Sequence, residues 1–217
     1  MKRIAAPPIM EETEKMDLSG VISGMDISRK LFETSPQGET VFRNMTFDGC
    51  VFRGIDLSRI SFEKVSLTDC VFEDVRTLNL SFDGASIRRV IFRDSYLAGL
   101  SFQRSGVYDV SFEGCKAPYM NMAGAKMKNV LFSETDMRES FFMETSLSKV
   151  VFSKCDLTGS EVTSTSFKGI DVSDCIITSL RTDLYSIRGM VIDPLQAADL
   201  AALLGVTFSE RGQKDQK

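Results

Sequence analysis

Residues 42–72 read FRNMTFDGCVFRGIDLSRISFEKVSLTDCVF, and every fifth of them is apolar, beginning with Phe42. The same register continues to Ile177, and fourteen of the sixteen phenylalanines lie on it; only Phe141 and Phe208 do not. A period of five matches neither the 3.6-residue repeat of an α-helix nor the two-residue alternation of a flat strand. It therefore predicts a repeat architecture in which short segments stack into one continuous body.

Two of every five positions avoid charge. Between Thr40 and Ile177, no charged residue occupies the central apolar position of a five or the position two residues before it. Nearly all Lys, Arg, Asp and Glu residues of this span occupy the other three positions. An extended chain can bury two of every five side chains and expose the other three to solvent only if it turns every five residues. The pattern therefore predicts a chain that corners repeatedly around a central axis.

A longer period of twenty residues is superimposed on the period of five. The pairs Val51-Phe52, Val71-Phe72 and Ile91-Phe92 recur at this spacing, and a second column contains Phe42, Phe62, Phe82, Phe102 and Phe142. Four segments of five thus make one coil, and like side chains should stack from coil to coil. At a strand spacing of about 4.8 Å, about eight coils would form a rod of about 40 Å.

The five cysteines fall on the same pattern. Cys50, Cys70, Cys115, Cys155 and Cys175 each lie two residues before a central apolar position. Their number is odd, and the prolines and acidic residues that follow the basic start of the chain interrupt any signal-peptide core. We therefore expect reduced, buried thiols rather than a set of disulfides.

Composition and motifs argue against several classes of function. The formal charge of −4 does not favour nucleic acid as a partner, and no apolar stretch is long enough to span a bilayer. The chain has no histidine, no G-x-S-x-G elbow and no phosphate-binding glycine loop. We therefore expect a cytoplasmic protein without catalytic residues, metal, cofactor, small-molecule substrate or membrane contact.

Several segments match a known consensus. Cys155-Asp156-Leu157-Thr158-Gly159 and Ile55-Asp56-Leu57-Ser58-Arg59 resemble the A-(D/N)-L-x-x repeat of the pentapeptide repeat family. The resemblance extends over about residues 20–192. It implies an all-β fold, a right-handed quadrilateral β-helix of about eight coils, with a short C-terminal α-helix. We divide the chain into a flexible segment (1–19), the β-helix (20–192), a C-terminal helix and strand (193–208) and a disordered tail (209–217).

The C-terminal segment has the signals of a short helix. Asp193 suits the N-cap, Pro194 the first turn, Gln196 the capping-box position and Gly205 the C-terminal cap. Two roles remain open for its apolar residues. They could cap the last coil, or form a homodimer contact that resembles the C-terminal dimerisation module of several family members. The candidate residues are Leu195, Leu200, Leu203, Leu204 and Phe208.

Sorting the outward residues by face gives one acidic and one basic side. The face centred on Phe52 and its equivalents every twenty residues, here called the acidic face, carries nine carboxylates against three cations. The preceding face, centred on Phe47 and its equivalents and called the basic face, carries eight cations against four carboxylates. The charges could serve only to solvate the surface, or they could contact a partner. The candidate contact residues on the acidic face are Glu73, Asp74, Asp94, Glu113, Glu134, Asp171 and Asp174.

Regularly spaced carboxylates on a rod imitate a phosphate backbone, which DNA-binding proteins recognise by charge and shape. The Qnr and MfpA types of the pentapeptide repeat family bind DNA gyrase by resembling DNA and protect it from quinolones. The resemblance therefore implies a non-catalytic protein that binds a type II topoisomerase. The alternative is a structural or scaffold protein with another protein partner. Direct nucleic-acid binding is not expected, because the basic face adjoins an acidic one and has no interleaved aromatic residue beyond Tyr108.

Overall fold

The computed structural model describes residues 13–201 and 205–206, which form a parallel β-solenoid of about eight coils. One coil takes twenty residues, because every pair of neighbouring strands in the repeat is in register at this spacing; Phe72, for example, pairs with Phe92. The coil length and the parallel stacking predicted from the sequence are therefore confirmed. Two faces in addition to the acidic and basic faces complete each coil: the third face, centred on Leu57 and its equivalents, and the fourth face, centred on Phe62 and its equivalents.

The described residues form seventeen strands and two short α-helices. In four coils a single strand of eight residues runs from the basic face on to the acidic face, whereas most third-face and fourth-face segments there consist of turns with single bridges. The strands are β1 (Glu14–Lys15), β2 (Asp26–Ser28), β3 (Lys30–Phe32), β4 (Thr40–Arg43), β5 (Thr46–Asp48), β6 (Val51–Arg53), β7 (Ile60–Glu63), β8 (Ser66–Thr68), β9 (Val71–Glu73), β10 (Arg76–Leu78), β11 (Ser86–Arg93), β12 (Tyr96–Ala98), β13 (Gly106–Glu113), β14 (Lys126–Ser133), β15 (Ser146–Ser153), β16 (Glu161–Val162) and β17 (Arg181–Thr182). The helices are α1 (Leu184–Ile187) and α2 (Ala197–Ala201), with 3-10 turns at Leu18–Gly20 and Pro194–Gln196.

The core is the column of side chains that the period of five predicts. From Thr40 to Ile177 every residue predicted to point inward is buried, except Thr40 and Leu147, which are half-buried. Phenylalanines of the acidic face stack from coil to coil; the ring centroids of Phe92 and Phe112 are 4.8 Å apart. Fourth-face phenylalanines meet them edge-on, as Phe102 meets Phe112 at 6.0 Å. Burial of each ring contributes about 1.5–3 kcal/mol, and the aromatic contacts add to it.

Inward positions two residues before the central ones include thiols and hydroxyls that donate to backbone carbonyls. Ser160 Oγ donates to the Met137 carbonyl at 2.8 Å, and the thiol of Cys155 lies 3.4 Å from the Phe132 carbonyl. All five cysteines are free and buried, as predicted from their positions. Burial raises the pKa of the Cys115 thiol to about 11, so the reactive thiolate is scarce at neutral pH.

A corner position, two residues after each central one, turns the chain in the left-handed backbone region. From Asn44 to Gly169 every residue there except Arg59 has a positive φ, between 48° and 75°. Glycine and asparagine adopt this conformation easily, which explains their recurrence at the corners. Corner amides bond to the next coil; the Asp74 N–H, for example, donates to the Arg93 carbonyl at 3.1 Å.

The first coil is irregular. Lys30 occupies an inward position of the register, but its ammonium group remains half-buried and pairs with the Glu14 carboxylate. Strand β1 pairs with β3 and thereby extends the ladder at the N-terminal end. Gln37, at the next central position, is exposed. A charged and a polar residue at inward positions thus leave this coil without a complete core.

The last coil departs from the register at a helical turn that the sequence pattern does not predict. The period of five predicts that Tyr185 points inward, but it is 68% exposed, and Ser186 is buried instead. The cause is Asp183, which caps α1 by accepting the Ser186 N–H at 2.8 Å. Helical winding rotates the following side chains out of the strand register.

The predicted N-terminus of the C-terminal helix is confirmed. Asp193 accepts the Leu195 N–H at 2.9 Å, and its own N–H donates to Gln196 Oε1 at 2.8 Å. The Gln196 amide also donates to the carbonyls of Val172 and Cys175, at 2.9 and 2.6 Å. One side chain therefore caps the helix and fixes it to the preceding coil.

Candidate interaction surface

The acidic face is a ladder of parallel strands running from β3 through β6, β9, β11, β13 and β14 to β15. Its side chains immediately before and after each central residue point outward. Because every strand is fixed by buried phenylalanine on its inner side, the outer charges are held at the coil spacing of about 4.8 Å.

Carboxylates and arginines alternate in the column that follows the central residue. Arg53 Nε lies 2.8 Å from Glu73, and Arg93 Nε lies 3.4 Å from Glu113. Arg93 also approaches Glu73, at 3.8 Å. Two of the predicted contact carboxylates are therefore already paired within the chain, although each exposed pair contributes only about 0–1 kcal/mol to stability.

Asp74 and Asp94 lie at corner positions of neighbouring coils, and both are exposed. Among the described residues, neither has a cation within 4.0 Å. The Asp94 carboxylate leans over Gly114, where a Cβ would lie 2.7 Å from Oδ1, and Asp74 leans towards Gly54 on the opposite side. The glycines give the two like charges room to separate.

The carboxylates in the C-terminal half of the acidic face have different kinds of partner. Glu134 pairs with Lys154 at 2.9 Å. Asp171 accepts the hydroxyl and N–H of Ser173, and these hydrogen bonds hold the pKa of its carboxyl below the usual value. Asp174 accepts the Ser153 hydroxyl at 3.0 Å. Of the seven predicted contact carboxylates, the four without a cation within 4.0 Å in the described part are thus Asp74, Asp94, Asp171 and Asp174.

The apolar residues along the acidic face form no continuous exposed strip. Val51, Val71 and Leu131 are half-buried, and Ile91 is only 8% exposed. Their β-branched or aliphatic side chains suit extended backbone. Val151 and Val191 are the more exposed members of this column.

Within residues 13–201, no group of three His, Cys, Asp or Glu side chains could hold a metal ion, and no helix there is long and apolar enough to cross a bilayer. A shallow open groove of about 290 Å³ on the fourth face is lined by residues that include Arg104, Met143 and Glu144.

The predicted cap or dimer residues have different environments. Leu200 is half-buried and packs against the core, whereas Leu195 is 87% exposed. Leu203, Leu204 and Phe208 lie outside the described residues. Leu184 and Tyr185 of α1 add exposed apolar surface at the same end of the rod.

Comparisons with known proteins identify the repeat. Residues 85–162 match the family model described as a pentapeptide repeat region. A comparison with curated proteins found no match. A trypsin-treated variant of QnrB1, a plasmid-mediated fluoroquinolone resistance protein, is 17% identical with a TM-score of 0.37, covering 86% of this chain and 99% of its own. HetL, a protein involved in heterocyst differentiation regulation in the cyanobacterium Nostoc, is 8% identical with a TM-score of 0.41, covering 80% and 92%. Rfr23 from the cyanobacterium Cyanothece is 14% identical with a TM-score of 0.33, covering 48% and 64%.

Proposed function

Since this chain is a pentapeptide repeat protein, we propose that it is a non-catalytic interaction protein whose acidic face occupies the DNA-binding surface of a type II topoisomerase such as DNA gyrase. The observation that carries the proposal is the pair of neighbouring exposed carboxylates, Asp74 and Asp94, which lack a cation partner among the described residues. The topoisomerase is named from the resemblance to the Qnr and MfpA types.

The physical support is the rigidity of the charges. A surface that binds DNA is arranged for negative charge at regular intervals along a rod. Asp74 and Asp94 are fixed by corner backbone that hydrogen-bonds to the next coil. Little conformational entropy is then lost when a basic groove closes on them. Glu73 and Glu113 contribute less, because their charges are compensated by Arg53 and Arg93.

The test measures gyrase supercoiling and quinolone-stabilised DNA cleavage with the full chain at micromolar concentration. We expect the protein to inhibit supercoiling and to relieve cleavage. The double variant Asp74→Lys/Asp94→Lys should lose about tenfold in potency, which corresponds to about 1.4 kcal/mol. Lysine is acceptable at the corner, because Lys149 and Lys154 already adopt the same positive φ there.

The control is Glu144→Lys, which reverses one exposed corner carboxylate on the opposite, fourth face. It should retain full potency. If the unchanged protein has no effect in either gyrase assay, the topoisomerase proposal fails and the scaffold alternative is favoured. If the double variant is as potent as Glu144→Lys, the contact lies on another face.

We further propose that the C-terminal end of the rod pairs with a second copy of the chain. The support is the exposed apolar surface of Leu184, Tyr185 and Leu195, which are 63%, 68% and 87% exposed. Leu195→Glu should weaken dimerisation at least about tenfold, measured by sedimentation across a concentration series. Leu78→Glu, at an exposed leucine on the third face, is the control. Equal dimerisation by both variants, or a monomeric unchanged protein, would contradict this pairing.

A further inference from the structure

The C-terminal two-thirds of the basic face is strongly cationic. Between Ser86 and Gly189 it has one carboxylate, Asp109, which accepts the Asn129 amide at 2.8 Å. All of its cations except Arg89 are exposed. The cations are Arg88, Arg89, Lys126, Lys128, Lys149, Lys168 and Arg188.

These cations differ from those of the acidic face in their pairing. Arg53, Arg93 and Lys154 each contact a carboxylate of their own face. On the C-terminal two-thirds of the basic face only Arg89 does so, with Asp69 at 2.5 Å. The other six have no carboxylate within 4.0 Å in the described part of the chain. Like charges on one rigid face repel each other, so an external polyanion would relieve that repulsion.

An aromatic ring lies within the cationic column. Tyr108 is one coil from Arg88 and one coil from Lys128, and the Arg88 guanidinium is 5.2 Å from its ring centroid. The ring leans across Gly106, where a Cβ would lie 2.7 Å from the ring atom Cε2. Gly106 does not adopt a positive φ, so the backbone conformation does not require glycine at this position. The space occupied by the tyrosine ring is the reason that a side chain does not fit there.

The shape of the face favours one class of polyanion. Its cations span five coil steps, about 24 Å at the usual strand spacing. A flexible single strand can lie flat on such a face, with phosphates over the cations and a base against tyrosine. A duplex is a cylinder and meets a flat face along one line, and the face offers no exposed apolar group that would enter a bilayer.

We propose that this part of the basic face binds single-stranded nucleic acid through its phosphates, with Tyr108 as a stacking contact. The net charge of the chain and the neighbouring acidic face disfavour such binding when charges are only counted. The pairing pattern changes the balance, because six of the seven cations on this part of the basic face have no carboxylate within 4.0 Å among the described residues, so their charge is available to a polyanion. The inference does not depend on the topoisomerase proposal, since it concerns a different face.

The experiment measures fluorescence anisotropy of a labelled oligothymidine of about twelve nucleotides with the full chain, at about 50 to 200 mM salt. Four or five phosphate contacts predict a slope of log K against log salt of about −3. Lys126→Gln/Lys128→Gln should bring the slope about 1.4 closer to zero. Tyr108→Leu should weaken binding about tenfold at an unchanged slope, because it removes stacking and no charge.

The control is Lys116→Gln/Lys154→Gln, which removes the same charge from the third and acidic faces and should bind like the unchanged protein. Circular dichroism checks that all variants are folded. No binding at about 50 mM salt, or equal loss in the control and the basic-face variant, would overturn the proposal. So would tighter binding to a duplex of the same length, to polyglutamate or to phosphatidylserine vesicles, each of which would assign the face to another polyanion.

Discussion

Replacing Phe142 by alanine should lower the free energy of unfolding by about 3–5 kcal/mol, whereas the same change at its neighbour Phe141 should cost less than about 1 kcal/mol. Phe142 is fully buried and meets Phe132, Phe152 and Phe167 edge-on at 5.9 to 6.4 Å. Its removal leaves a cavity between rigid coils that cannot close. Phe141 points outward and is half-exposed, so its removal takes less apolar area out of the interior.

Urea unfolding followed by circular dichroism measures both variants. Solenoids can unfold in parts, so the transition should also be followed by a second probe such as tyrosine fluorescence. The two phenylalanines are adjacent in sequence and identical in chemistry, so each is the control for the other. Comparable losses at the two positions would contradict the division into inward and outward positions.

Replacing Gly99 by alanine should cost about 2–3 kcal/mol, more than the about 1–2 kcal/mol expected for Gly84→Ala. Both glycines are corners with a φ of 67°, so the strain of the left-handed backbone is the same in both. A Cβ at Gly84 meets nothing within 4 Å. At Gly99 it would overlap the Asn79 amide oxygen and lie 3.3 Å from the Asn79 Cα atom.

A double-mutant cycle tests whether the larger stability cost of Gly99→Ala is due to the Asn79 side chain. In an Asn79→Gly background, Gly99→Ala should cost little more than Gly84→Ala, because the amide that it overlaps is gone. Denaturation midpoints of the four variants give the coupling. An equal cost of Gly99→Ala with and without Asn79 would mean that crowding between coils does not select glycine at this corner.

Much of the fold follows from the residues alone because a solenoid repeats its geometry. Stacking requires that position n and position n plus twenty have similar environments, so the inward columns and the buried cysteines can be located without coordinates. The helical turn at α1 could not be located in this way. There Asp183 caps a helix, and this local hydrogen bonding wins over a weak register in which Thr182 occupies a central position.

The candidate surface was only partly predictable, because counting the charges of a face ignores their order along it. The alternation of Arg53, Glu73, Arg93 and Glu113 can be read at twenty-residue spacing, and it predicts the pairs that the structure contains. The directions in which the Asp74 and Asp94 carboxylates point cannot be predicted from the twenty-residue spacing alone. They depend on which neighbouring coil supplies a glycine, and therefore on side-chain packing between coils.

The twenty-residue coil also limits how a gene for such a protein can change in length. Because every strand bonds only to the coils before and after it, deletion or duplication of one whole coil would preserve the direction of all four sides. A deletion of five residues would keep the interior apolar but turn everything downstream by one quarter of the cross-section. The acidic face of the part after the deletion would then lie in line with the basic face of the part before it. Whole coils are therefore the unit by which such a protein can become longer or shorter while the charges of each face stay aligned.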